Sequence, residues 1–180
     1  MAETVRLAAQ SGLVGCSVED ATGDPAKPIF EFDFAVERVR AAVEAARALP
    51  FPFTLTARAE NLLHGRKDMA DTIKRLQAFE AVGANVLYAP GLATLDEVAE
   101  VISAVNKPVN VLVVASSKGF SVESLAAAGV KRISVGGTLA RVAYGAVLGA
   151  AQEMKDKGSF SFTFGGVSNK ELGAIFSNWV

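Results

Sequence analysis

Two carboxylates, Glu19 and Asp20, stand side by side where the apolar run of "GCSVEDATGDP" (15–25) stops, with Asp24 and Pro25 just beyond. Adjacent acids at a strand end can hold a divalent cation through oxygen ligands or move protons. They can equally be a solvated turn. A second polar group lies in "TLTARAE" (54–60), where Thr54, Thr56, Arg58 and Glu60 alternate with Leu55, Ala57 and Ala59. Alternation at period two puts the guanidinium and the carboxylate on one face of a strand. An arginine so placed can grip an anion bidentately, or Glu19, Arg58 and Glu60 can simply neutralise one another in a buried network. Tyr88, Pro90, the stretch from Ser116 to Gly119, and Gly136 with Gly137 also fall at expected strand ends. "SVGGT" (134–138) could present backbone N–H groups to an anion, or be only a tight turn. His64, the single histidine, could serve as an acid or base but reads as an exposed loop residue. Cys16 points by parity to the helix side, as a buried inert thiol.

Strands are needed to carry these groups, and helices to cover them. Apolar runs at 13–19, 53–59, 85–90, 109–114 and 132–136 read as strands. Each is followed by an amphipathic segment: 33–49, 68–83, about 94–105, about 121–128 and 138–156. In the second of these Met69, Ile73, Leu76 and Phe79 share a face, and Gly83 stops the helix. A leading helix spans roughly 2–10, and Ser168 with Glu171 predicts a capping box opening a short last helix. Five strand–helix units without a hairpin signal imply parallel strands and right-handed crossovers.

A doubly wound sheet reads as continuous apolar strands. The polar face of strand 53–59 instead fits the lining of a barrel mouth, where Gly15, Ser17 and Glu19 of the first strand and Ser134 and Gly136 of the last would join it. The expected fold is therefore α/β, of the parallel (β/α)8 TIM-barrel type. It is partial, because only five of eight units are legible, with 1–158 as barrel and 159–180 as a C-terminal extension.

The composition agrees with a globular protein. Of the 180 residues 51% are hydrophobic and 21% charged, and the net charge is -1. No basic face suggests nucleic acid, no apolar run approaches a membrane span, and the N-terminus does not read as a signal peptide. A lone cysteine excludes an intrachain disulfide and fits a cytoplasmic location.

Five stretches carry a family likeness: "GCSVEDATGDPAKPIFEFDFAVERV", "PFTLTARAENLLHGRKD", "GANVLYAPGL", "KPVNVL" and "GVKRISVGGTLAR". Together they resemble the isocitrate lyase/phosphoenolpyruvate mutase family, nearest to its bacterial mutase- and lyase-like branch. The resemblance implies a Mg2+-dependent enzyme of small 2-oxo or 2-hydroxy carboxylates or phosphonates, making or breaking C–C or P–C bonds through an enolate-like intermediate. It implies Glu19 and Arg58 as the catalytic pair, with Glu19 a metal-shell carboxylate acting through water. It implies Arg58, Glu60, Asn110 and Gly136 as substrate-binding residues. Asp20 is then expected to shape the loop with Asp24 and Pro25, and Asn110 to lie at the mouth.

The departures are equally specific. The likeness covers strands four to eight. The family's metal-holding aspartates lie before "VED" and have no counterpart here. The Lys-Lys-Cys-Gly-His run of isocitrate and methylisocitrate lyases is absent, and the loop "ATGDPAKPIFEF" is shorter than the mutases' gating loop. The expectation is an enzyme inactive as this chain alone; the alternative is a non-catalytic homologue that at most binds a small anion. An open barrel exposes two parallel edges and an apolar interior, so a homo-oligomer is expected. The family's exchange of its last helix makes 138–156 a further candidate contact. A phosphate-binding α/β domain would rest on "SVGG" alone.

Overall fold

The computed structural model describes residues 1–177. The last three residues of the expected C-terminal extension, 178–180, lie outside the described residues. The chain divides into two compact units, residues 1–136 and 137–180.

The first unit opens with helix α1 (Ala2–Gln10) and then alternates strictly. Strands β1 (Gly15–Glu19), β2 (Thr54–Arg58), β3 (Val86–Tyr88), β4 (Val109–Leu112) and β5 (Arg132–Ser134) form one sheet. Helices α2 (Phe32–Arg47), α3 (Met69–Ala81), α4 (Leu95–Ala104) and α5 (Val122–Ala127) connect them. All pairings are parallel, and the strand order is the chain order from β1 to β5. A doubly wound sheet reverses its strand order at a switch point. This sheet never does, which is the winding of a barrel.

One face of the sheet is sealed by the helices. Leu55, Leu76, Phe79, Leu87, Val98, Val101, Val111 and Leu125 are fully buried there. Small residues allow close approach: a Cβ on Gly15 would meet the Thr54 carbonyl oxygen at 2.7 Å, so the first two strands depend on glycine at that position. Sequence signals set the helix boundaries. Asp68 caps α3 by accepting from the Asp71 N–H, and Thr94 and Glu97 form a full capping box on α4. Gly83 takes a φ of 106° in the turn after α3, where a side chain would also run into the Arg47 guanidinium.

The buried face of α3 differs from its apolar reading. Thr72 and Arg75 are buried beside Leu76 and Phe79, whereas Met69 and Ile73 are only half-buried. The other face of the sheet is also less apolar than expected for an open barrel. Ser17, Thr54, Thr56, Arg58, Asn110 and Ser134 share it with Leu13, Val14 and Val86.

The second unit contains α6 (Thr138–Lys157), a 3-10 turn over Ser161–Gly165, and α7 (Asn169–Ser177). Gly158 ends α6 in the left-handed conformation, with φ 61°. Glu153 accepts from the hydroxyls of Ser159 (2.8 Å) and Ser161 (2.9 Å), which ties the turn to the helix. The expected capping box is present: Glu171 accepts the Ser168 N–H at 2.9 Å, and Ser168 accepts the Glu171 N–H at 3.2 Å.

Because Leu87 is fully buried and Leu63 is 54% exposed, the two truncations should separate clearly. In urea unfolding, Leu87→Ala should cost about 3 kcal/mol and Leu63→Ala no more than about 0.5 kcal/mol.

Candidate functional site

Strand register assembles the site. Glu19 pairs with Arg58, Arg58 with Tyr88, Tyr88 with Asn110, and Asn110 with Arg132. Side chains of residues paired in register leave the same face of a sheet. The result is one row of five chemically active residues across all five strands, with a carboxylate at one end and a guanidinium at the other. The row faces a concavity of about 580 Å³, lined among others by Arg58, Tyr88, Asn110, Arg132, Ser134 and Gly136.

Arg58, second in the row, is the residue most tightly held in it. Its Nε donates to Glu60 Oε1 at 2.7 Å, and its Nη2 lies 3.3 Å from Glu19 Oε2. Its guanidinium carbon sits 4.9 Å from the centre of the Tyr88 ring, within cation–π range. Burial works to lower the Arg58 pKa, but the hydrogen bond and charge of Glu60, with Glu19 and Tyr88 adding, outweigh it and raise the value. The guanidinium is therefore a fixed cation, held along one edge by carboxylates, with further N–H donors to offer an anion.

Glu60 is 1% exposed and does not line the concavity; it lies behind Arg58 and fixes it. Burial pushes its pKa up, opposed by its hydrogen bond to Arg58 and raised further by Glu19 and Asp20. Glu19 is different: its side chain is 49% exposed, at the solvent end of the row.

Asn110 sits in the body of β4, fully buried, rather than at a loop by the mouth. Its Nδ2 donates to Ser134 Oγ at 2.9 Å, while its Oδ1 has no partner among the described residues. A buried polar atom of this kind calls for a donor from water or a ligand. Burial also raises the Tyr88 pKa, against a hydrogen bond from Ser134 and the charge of Arg58, so its hydroxyl stays protonated and able to donate. Gly136 reaches the concavity with a positive φ of 51°. His64 is exposed in a turn, and Cys16 is half-buried against the core with its thiol pKa raised by burial.

Asp20 does more than shape the loop, whose end it ties down by accepting the Phe30 N–H at 2.8 Å on its carbonyl. It is 2% exposed, accepts the Glu60 N–H at 2.8 Å, and pairs with Arg75 Nη1 at 3.1 Å. Asp24 does shape the loop, accepting the Ala26 N–H at 2.9 Å. Sequence reasoning missed Arg75 because it lies 55 residues beyond Asp20 in the chain, on the helix after the next strand. It missed Arg132 although the parity that placed Ser134 inward applies to both.

A protein-held Mg2+ does not fit this donor set. Among the described residues no three His, Cys, Asp or Glu side chains gather. Asp20 and Glu60 are committed to Arg75 and Arg58, which leaves Glu19 as a single, partly paired carboxylate.

This sheet, wound in one direction, is that of a barrel-type α/β fold. The family model described as phosphoenolpyruvate phosphomutase matches residues 1–155, and the chain belongs to that family. A lyase/mutase-type protein from Burkholderia cenocepacia J2315 is 56% identical, with a TM-score of 0.94 over 97% of this chain and 63% of that one. An oxaloacetate acetylhydrolase in complex with its product oxalate is 26% identical, with a TM-score of 0.80 over 94% of this chain and 57% of that one. A phosphonopyruvate hydrolase with oxalate and Mg2+ shares the fold at 21% identity, with a TM-score of 0.79 over 98% of this chain and 63% of that one. The chain thus spans 57% to 63% of the length of these proteins. No curated protein matches it.

The raised pKa of Glu60 has a defined pH signature. A carboxyl whose folded pKa lies above its unfolded value contributes stability at low pH and loses it as pH rises through the folded value. Relative to Glu60→Gln, wild-type stability should therefore fall as pH rises from below about 4.3, the ordinary glutamate value, through the raised one. Urea midpoints of both proteins across that window measure it; a gap that moves the other way contradicts the assignment.

Proposed function

We propose that the chain provides the anion-gripping wall of an enzyme site for a small 2-oxo or 2-hydroxy carboxylate, or a phosphonate, cleaved or formed through an enolate-like intermediate. The observation that carries this reading is Arg58, fixed from behind by Glu60 and presented to the concavity within the polar row. Oxalate, bound by the oxaloacetate acetylhydrolase, has the shape of the carboxylate and adjoining C–O group of a 2-oxo acid enolate. Such an anion would lie against the Arg58 guanidinium, which can take a carboxylate through two parallel N–H bonds. The Tyr88 hydroxyl would donate to the oxygen on which charge develops, an oxyanion-type stabilisation. Asn110 Oδ1 would accept from a substrate hydroxyl or from a bound water.

Glu19 tells what else the site needs. Its carboxylate lies 3.3 Å from Arg58 and repels any anion bound there. Relief of that repulsion would need a further cation beside Glu19, which the described side chains do not hold in place. The chain alone is accordingly read as an anion-binding, catalytically silent unit, and a cytoplasmic protein.

Both β1 and β5 are paired on one side only among the described strands. Open parallel edges invite pairing with another chain, so the 180-residue chain is read as self-associating. Light scattering at micromolar concentration should give a dimer or larger species; a clean monomer contradicts it.

Calorimetry with oxalate tests the grip. Arg58→Ala should weaken binding about tenfold or more, while Glu19→Gln should tighten it in the absence of Mg2+. Equal affinity in wild type and Arg58→Ala would remove Arg58 from the site. Turnover assays of a full-length form with oxaloacetate, methylisocitrate and phosphonopyruvate would choose the reaction.

A further inference from the structure

We propose that Arg75, on the helix side of the sheet and outside the concavity, is a positioning residue that sets the orientation of Arg58 through Asp20 and Glu60. The chain of contacts is continuous. Arg75 Nε donates to Asp71 Oδ2 at 2.8 Å, which fixes the guanidinium on its own helix. Its Nη1 donates to Asp20 Oδ2 at 3.1 Å and to the Phe30 carbonyl at 3.0 Å. The other oxygen of Asp20 accepts the Glu60 N–H at 2.8 Å. The side chain of Glu60 then holds Arg58 Nε at 2.7 Å. Asn61, next along, donates to the same Asp71 oxygen that Arg75 uses, at 2.8 Å. The segment carrying Glu60 is thus held at two successive residues, Glu60 by Asp20 and Asn61 by Asp71, the two carboxylates that Arg75 joins.

Burial makes this clamp stiff. The side chains of Arg75, Asp20 and Glu60 are 6%, 1% and 2% exposed. In so dry a setting each charge depends on its partner, and loss of one leaves the other uncompensated. Arg75 also fixes both ends of the segment between Asp20 and Phe30, because its Nη1 meets both residues, and the Phe30 N–H closes the same segment by donating to the Asp20 carbonyl at 2.8 Å. A second helix arginine acts in parallel: Arg38 of α2 donates to the Glu19 carbonyl at 2.7 Å and stacks on Phe30 at 4.2 Å. The adjacent acids are therefore anchored separately, Glu19 through its main chain to α2 and Asp20 through its side chain to α3. This leaves the Glu19 carboxylate, alone of the two, turned to the row.

The test follows the Arg58 Nε–H signal by 15N NMR in the full chain, assigned by its loss in Arg58→Lys. Its hydrogen exchange reports the bond to Glu60 directly, whether or not a ligand binds. Arg75→Lys keeps the charge and loses the planar fork; it should speed that exchange about tenfold or more. Leu76→Ala, a core truncation one residue away on the same helix, should leave it within about twofold at a comparable loss of melting temperature. If Arg75→Lys does not fold, the neutral pair Asp20→Asn/Arg75→Gln takes its place with the same expectation. Unchanged exchange in the Arg75 variant, or an equal rise in Leu76→Ala, overturns the proposal. Oxalate affinity read on the same samples should fall with the Arg75 variant. A wild type that binds no oxalate would count against the proposed function while leaving this result intact.

Discussion

The contact between Arg58 Nε and Glu60 Oε1, 2.7 Å long and almost shut off from water on the glutamate side, is the interaction from which the rest of the site follows. A guanidinium left to itself samples many rotamers, and ordering it on binding costs free energy. Here the ordering is done by the fold. Glu60 is immobile because Asp20 takes its backbone N–H, and Asp20 is immobile because α3 delivers Arg75 to it. What the concavity sees is the outer edge of a cation whose inner edge is already satisfied.

The fold explains why this arrangement is possible. Parallel strands connected in one direction bring the same register position of every strand to one row, so chemistry scattered over more than a hundred residues meets on one line. The apolar residues between these positions pack against helices on the other side. Alternation at period two thus serves core and site at once, and a one-residue slip would exchange them. The phosphoenolpyruvate phosphomutase family to which the chain belongs is consistent with this one-directional winding of the sheet.

Much of this was legible in the sequence. Alternation in "TLTARAE" placed Arg58 opposite Leu55 and Ala57, and five apolar runs separated by amphipathic segments gave a barrel-type sheet with element ends within a few residues. Ser168 and Glu171 announced their helix correctly. What could not be read were contacts made across the fold. Arg75 sits among Thr72, Leu76 and Phe79 on a buried helix face, and only the sheet brings Asp20 to it, 55 residues back in the chain. Asp20 looked like a turn residue for the same reason. Helical periodicity reports that a face is buried, and says nothing of which charge waits on the other side.

The most direct measurement is a crystal structure of the chain grown with oxalate. The account predicts an oxalate carboxylate within hydrogen-bond distance of the Arg58 guanidinium, on the edge away from Glu60, with Tyr88 and Asn110 beside it. Oxalate bound elsewhere in the concavity with the Arg58–Glu60 contact broken, or no oxalate in the concavity at all, would contradict it.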